Sequence, residues 1–119
     1  MIKEEIMKNF FQCYGMATSM PKMKNTPNGN VVCNFKICIC EDRQDSEYSR
    51  LIYIRVEAWD QVAKECVEKI KEGSLCAILD GKLKRNFYKT TSKTGEHYVH
   101  DGLIIVAKKI EIIEDEENC

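Results

Sequence analysis

The 119 residues amount to one domain, and 44% hydrophobic with 31% charged residues excludes disordered and collagen-like classes. The formal net charge is -1, and so neutral a total, taken alone, weighs against a nucleic-acid binder. The longest apolar runs, Leu75–Leu79 and Leu103–Ala107, are far shorter than the ~20 residues a membrane-spanning helix needs. The start MIKEEIMKNFF has acidic residues where a signal peptide would need its apolar stretch, so a cytoplasmic location is expected.

In chain order, Phe10–Thr18 reads as a first strand, with residues 1–8 before it open between a short helix and an extra strand. Thr26-Pro27-Asn28-Gly29 is a turn signal, and Val31–Cys40 alternates after it, with Val31, Cys33, Phe35, Ile37 and Ile39 on one face and Asn34 and Lys36 on the other. Glu41–Arg50 is a polar loop. Leu51–Trp59 alternates again: Ile52, Ile54, Val56 and Ala58 form an apolar face, and Tyr53, Arg55, Glu57 and Trp59 the opposite one.

A helix follows, with Asp60 as its cap, Val62, Ala63, Cys66, Val67 and Ile70 as its apolar stripe, and Gly73 after its last turn. Leu75–Tyr88 is a long strand that loses its apolar character after Gly81. A Thr90–Gly95 turn joins it to a last strand from about His97 to Ala107, which Ile110, Ile112 and Ile113 extend or terminate. Three strands, one helix and two strands predict an all-β protein with one helix. The matching architecture is a five-stranded Greek-key OB-fold barrel, its helix between strands three and four.

The neutral total hides a division. Residues 1–40 sum to +3, 41–81 to -4, 82–110 to +5 and the last nine to -5, so an acidic tail masks a basic segment. Tyr53, Arg55 and Trp59, the only tryptophan, share one strand face. The hairpin repeats the combination with Lys82, Lys84, Arg85, Phe87, Tyr88, Lys89 and Lys93, then Tyr98 on the returning strand. Aromatic rings are common in strands, and lysine-rich hairpins are often only solvated surface. Base stacking and phosphate neutralisation are needed together, however, and here they lie on adjoining strands, which points to single-stranded nucleic acid.

Catalytic readings find little support. Gly81-Lys82 lacks the upstream glycine of a phosphate-binding loop, and His97 and His100 fall on opposite strand faces. The seven cysteines have no framework spacing and read as reduced thiols. Cys38-Ile39-Cys40 is not a C-x-x-C pair, so neither metal nor cofactor is expected. Cys38 and Cys40 fill space near a subunit contact or, alternatively, serve a thiol-based redox enzyme.

Several segments in register resemble the bacterial single-stranded DNA-binding protein family. Asn9-x-Phe11-x-Cys13-x-Gly15 resembles its opening strand, and Pro21 its Asp-Pro-Glu turn, with Met20 and Lys22 in place of both acids. Thr26–Gly29 is similar to its Thr-Pro-Asn-Gly turn, followed by Asn34-Phe35. Tyr53-Ile54-Arg55-Val56 through Trp59 resembles its Trp-His-Arg-Val-x-x-Phe strand, and Val62-Ala63 with Lys71–Ser74 its helix and Lys-Gly-Ser ending. Gly81–Arg85 resembles its Gly-x-Leu-x-x-Arg strand and Lys93-Thr94-Gly95 its hairpin turn.

The resemblance divides the chain into an extension at 1–8, an OB-fold domain at 9–113 and an acidic tail at 114–119. It implies a non-enzymatic protein that coats single-stranded DNA with little sequence preference in replication, recombination and repair. Tyr53, Trp59 and Tyr88 stand at stacking positions, whereas Arg43 lies near another where the family often has Trp. Arg55, Lys82, Lys84, Arg85, Lys89 and Lys93 are the expected phosphate contacts. The resemblance also implies a homotetramer, or a dimer, through Phe10, Phe11, Gln12, Cys13 and Tyr14. The family usually ends in an acidic tip finishing in Pro-Phe. Glu114–Cys119 keeps the acidity without that tip, so recruitment of replication proteins is not carried over; a phage, plasmid or other mobile-element protein would look similar, and so would a shortened chain. The alternative is an OB-fold protein-interaction module, a primosome component or regulator, with weak or no DNA binding.

Overall fold

The computed structural model describes residues 6–41 and 50–113. Arg43, most of the polar loop, the acidic tail and the first five residues of the extension lie outside them. In chain order the elements are β1 (Phe11–Ala17), β2 (Lys22–Asn25), β3 (Val31–Cys40), β4 (Leu51–Trp59), α1 (Asp60–Lys69), β5 (Leu75–Thr91) and β6 (His97–Ile113).

The sheet runs β1-β5-β6-β4-β3-β2, and an additional β1–β3 pairing closes five of these strands on themselves. This is the expected OB-fold with one added element: the short β2 pairs only with β3, across the turn at Thr26–Asn30. Its presence moves the helix to between β4 and β5 in chain order, although it still separates the third and fourth strands of the closed set.

Closure depends on β1 changing partners. Phe11–Met16 pairs with β5, while Met16 and Ala17 also pair with Cys38 and Ile37 of β3. Gly15 lies at this crossing, where an added Cβ would stand 2.9 Å from the Cys38 carbonyl oxygen, closer than side chains approach backbone. Asn9 prolongs the β1–β5 ladder with its side chain. Its Nδ2 donates to the Leu83 carbonyl at 2.7 Å and its Oδ1 accepts from the Leu83 N–H at 2.8 Å.

The core lies inside the closed strands under α1, with Ile37, Val56, Ile70, Ile78 and Ile105 as its largest fully buried side chains. Burying each such side chain is worth about 1.5–3 kcal/mol, which favours the closed arrangement of the strands. The helix supplies Ala63 and Cys66, with Ile70 at its C-cap, while Val67, read as part of its stripe, is exposed. Asp60 is the first helical residue rather than a side-chain cap. Its carboxylate instead accepts from the Val31 N–H at 3.2 Å, and its φ of 51° is a left-handed geometry that aspartate tolerates better than most residues. After α1, the Gly73 N–H donates to Ala17 O and the Ala17 N–H to Ser74 O, tying the helix exit to the end of β1.

Candidate nucleic-acid interface

The outward side of β4 is set by its pairing. Val56 and Ala58 are fully buried, which turns Tyr53, Arg55 and Trp59 away from the core. Ile54 is only half-buried and Ile52 is exposed, because β4 begins beyond the packed part of the sheet. On β3 the register partners of Tyr53, Arg55, Glu57 and Trp59 are Cys38, Lys36, Asn34 and Val32. On β6 the parallel partners of Arg55 and Glu57 are Ile104 and Val106, both buried but outside the core cluster. They form an apolar floor from which the polar and aromatic groups rise.

Two concavities flank this strand. The first, about 450 Å³, is lined by Lys22, Lys24, Asn34, Phe35, Lys36 and Arg55, with Ser19 and Met20 at its edge. Among the described residues none of its four cations forms an ion pair. The second, about 540 Å³, lies toward the hairpin and is lined by Glu57, Trp59, Val62, Lys82, Lys84, Val106 and Lys108. Here a cation is already partnered. Lys84 Nζ lies 3.4 Å from Glu57 Oε1, which also accepts from Trp59 Nε1 at 2.8 Å.

Lys22, Lys24 and Lys36 escape the sequence reading of the site. The available signal is the +3 sum of the first forty residues and the Lys-x-Lys spacing ahead of the turn. Pairing Lys22 with Asn34 and Lys24 with Val32 puts both lysines on the Arg55 side of the sheet.

Along the β5–β6 hairpin the expected residues divide between two faces. Lys82, Lys84 and Tyr88 alternate onto the side shared with Tyr98, His100 and Val106, continuous with the β4 surface. Arg85, Phe87 and Lys89 alternate onto the other side, with Asp101 and Val99. Tyr88 is stacked on His100, ring centroids 4.4 Å apart and planes 11° from parallel. Arg85 is engaged as well. Its Nε and Nη2 donate to the Asp101 carboxylate at 2.9 and 3.1 Å, and its guanidinium sits 4.7 Å from the Phe87 ring centre. This pairing raises the arginine pKa and lowers that of Asp101 below the usual carboxylate range. Tyr98 donates its hydroxyl proton to Glu96 Oε2 at 2.6 Å, which raises its pKa. Lys93 stands exposed in the turn closed between Ser92 and Glu96.

The expected association strand also divides. Gln12 and Tyr14 face outward, Tyr14 71% exposed, and Phe10 precedes them at 60%. Phe11 and Cys13 instead pack against the core, because alternation along β1 turns them inward. Cys38 is buried and Cys40 exposed. His97 and His100 are both exposed and each contacts a threonine hydroxyl, His97 that of Thr91 and His100 that of Thr90. Among the described residues, no three His, Cys, Asp or Glu side chains converge on a metal position, and no helix is long and apolar enough to cross a membrane. Burial pushes the thiols of Cys13 and Cys76 up to about 11, and contact with Cys33 together with burial pushes Cys66 up, so these groups stay protonated at neutral pH.

The model of the Single-strand binding protein family matches residues 9–113. The chain belongs to the single-strand binding protein family. The single-stranded DNA-binding protein of Paenarthrobacter aurescens is 33% identical over 87 residues, covering 69% of this chain and 49% of its own length. That of Mycolicibacterium smegmatis is 30% identical over 81 residues, 64% of this chain and 48% of its own length. That of Corynebacterium glutamicum is 28% identical over 81 residues, with 36% of its own length matched. The chain thus spans about half the length of the first of these relatives, or less. The region matched by the single-strand binding family contains every described element of the closed sheet and both cationic concavities.

Proposed function

We propose that this protein is a non-enzymatic binder of single-stranded DNA that takes the strand across the outward face of β4. The observation that carries this reading is the position of Tyr53, Arg55 and Trp59 between two lysine-lined concavities on one continuous surface. Tyr53 and Trp59 offer stacking faces. Lys22, Lys24, Lys36 and Arg55 neutralise phosphates on one flank, Lys82, Lys84 and Lys108 on the other. Tyr88 and Tyr98 continue the surface along the hairpin, whereas Arg85, Phe87 and Lys89 serve a strand that wraps to its far side, with Lys93 at the tip.

Roles in replication, recombination and repair, and a cytoplasmic location, belong to the same reading through the family's resemblance. So does self-association as a homotetramer or dimer. The outward side chains of Phe10, Tyr14, Met16, Leu75 and Ile113, all at least 40% exposed, support contact through β1 and its neighbours.

Titration with oligo-dT, followed by Trp59 fluorescence, tests the reading. Quenching that weakens steeply with added salt is expected, and no quenching or retardation at low salt overturns it. Light scattering of the parent chain and of Tyr14→Glu reads the association, with a smaller particle expected for the variant.

A further inference from the structure

Glu57 is an anomaly on this surface. It stands on the outward side of β4, where a polyanion is expected, yet it is an acid, and it is the only buried polar or charged residue among those described. It takes no part in the core cluster. Its position two residues before Trp59 puts both side chains on one side of the strand, where Glu57 Oε1 accepts the indole Nε1–H at 2.8 Å. The same oxygen faces Lys84 Nζ at 3.4 Å, which offsets the negative charge locally.

We propose that Glu57 is a positioning residue that orders the Trp59 ring before a base arrives. An indole N–H lies in the ring plane, so this hydrogen bond engages the ring edge and occupies neither π face, and both residues line the same cavity. Trp59 needs such an anchor. It ends β4 immediately before α1, is 38% exposed, and has only Nε1–H as a polar handle. A ring already held in one orientation loses less freedom on stacking than one still rotating. Lys84 has the complementary role of keeping the carboxylate from repelling the strand.

The inference rests on the single-stranded DNA reading, and its test separates the two. Glu57→Gln keeps an oxygen acceptor and removes the charge, while Glu57→Val removes both. Trp59 emission anisotropy without DNA should match the parent in Glu57→Gln and fall in Glu57→Val. Binding of fluorescein-labelled oligo-dT should be no weaker than the parent in Glu57→Gln and about fivefold weaker in Glu57→Val than in Glu57→Gln, the worth of one ordinary hydrogen bond. In a Trp59→Phe background, which has no N–H, the two variants should bind equally. Unchanged anisotropy in Glu57→Val, equal affinities of the two variants in the parent background, or a gap that persists in the Trp59→Phe background would each overturn the role. Glu57→Ala replaces Glu57→Val if circular dichroism shows that valine disturbs the fold. A parent chain that fails to bind oligo-dT overturns the single-stranded DNA reading and the binding role together. A fall in anisotropy would then show only that Glu57 holds the ring.

Discussion

The two flanks of β4 carry similar numbers of cations but present them differently. On the β2–β3 side, Lys22, Lys24, Lys36 and Arg55 line a concavity with no acid among its walls. On the hairpin side, Lys84 faces Glu57, and Arg85, on the opposite face of the hairpin, is clamped by Asp101. Phosphate binding requires a cation to be released from competing partners, so similar counts do not mean similar contributions. The flank that looks richer in sequence is the one whose charges are partly spent within the protein.

The sharpest way to break this comparison is to remove charge from each side. Lys24→Ala with Lys36→Ala and Arg55→Ala should lower the salt slope of oligo-dT binding by about 2, at about 0.7 per lost phosphate contact on a single strand. Lys84→Ala with Arg85→Ala should lower it by less than about 1. Equal losses in fluorescence titrations across a salt series would refute the asymmetry.

Aromatic deletions come next. Trp59→Ala should cost about 1–3 kcal/mol of binding, and Tyr88→Ala should fall at or below the lower end because His100 already covers one face of the tyrosine ring. Isothermal titration of both variants checks the ranking. A smaller effect is expected from Asp101→Asn, which frees the Arg85 guanidinium: affinity at low salt should rise, and the salt slope should steepen by no more than about 0.7. An unchanged slope would show that Arg85 meets no phosphate.

A last effect concerns stability and lies away from the surface. Cys13 and Cys76 titrate near 11 in the folded protein against an ordinary value of 9.0. The unfolded chain therefore releases these protons first, and the folded state holds more of them between those values. The contribution of these two thiols should be level below about pH 9 and decline as pH rises through 11, measured by urea midpoints from about pH 8 upward. Cys76→Ala should flatten the decline.

Much of the fold is legible from alternation, because a half-buried strand writes its two faces into successive residues. Val31–Cys40 and Leu51–Trp59 appear at the expected bounds, and Tyr53, Arg55 and Trp59 emerge together on the outward side. Local pattern fails where burial depends on a distant strand. Ile52 looks like a core residue but β4 has no cover there, while Ile104 and Val106 are buried on the side that alternation assigns to solvent. The short β2 escapes a reading by pattern because Lys22–Asn25 is exposed at all four positions and carries no apolar signal.

The sequence alone determined the order of the helix and the five strands of the closed sheet, the outward face of β4 and the uneven distribution of charge behind a total of -1. These follow from side-chain period and composition, which are local properties. Only the tertiary structure decided which charges share a concavity, which are already paired, and which way the hairpin aromatics face. Each of these depends on strand register between residues far apart in the chain: Lys24 beside Val32, Glu57 beside Val106, and Arg85 within reach of Asp101. Electrostatic pairing acts over a few ångströms in space, and the chain order does not record those distances.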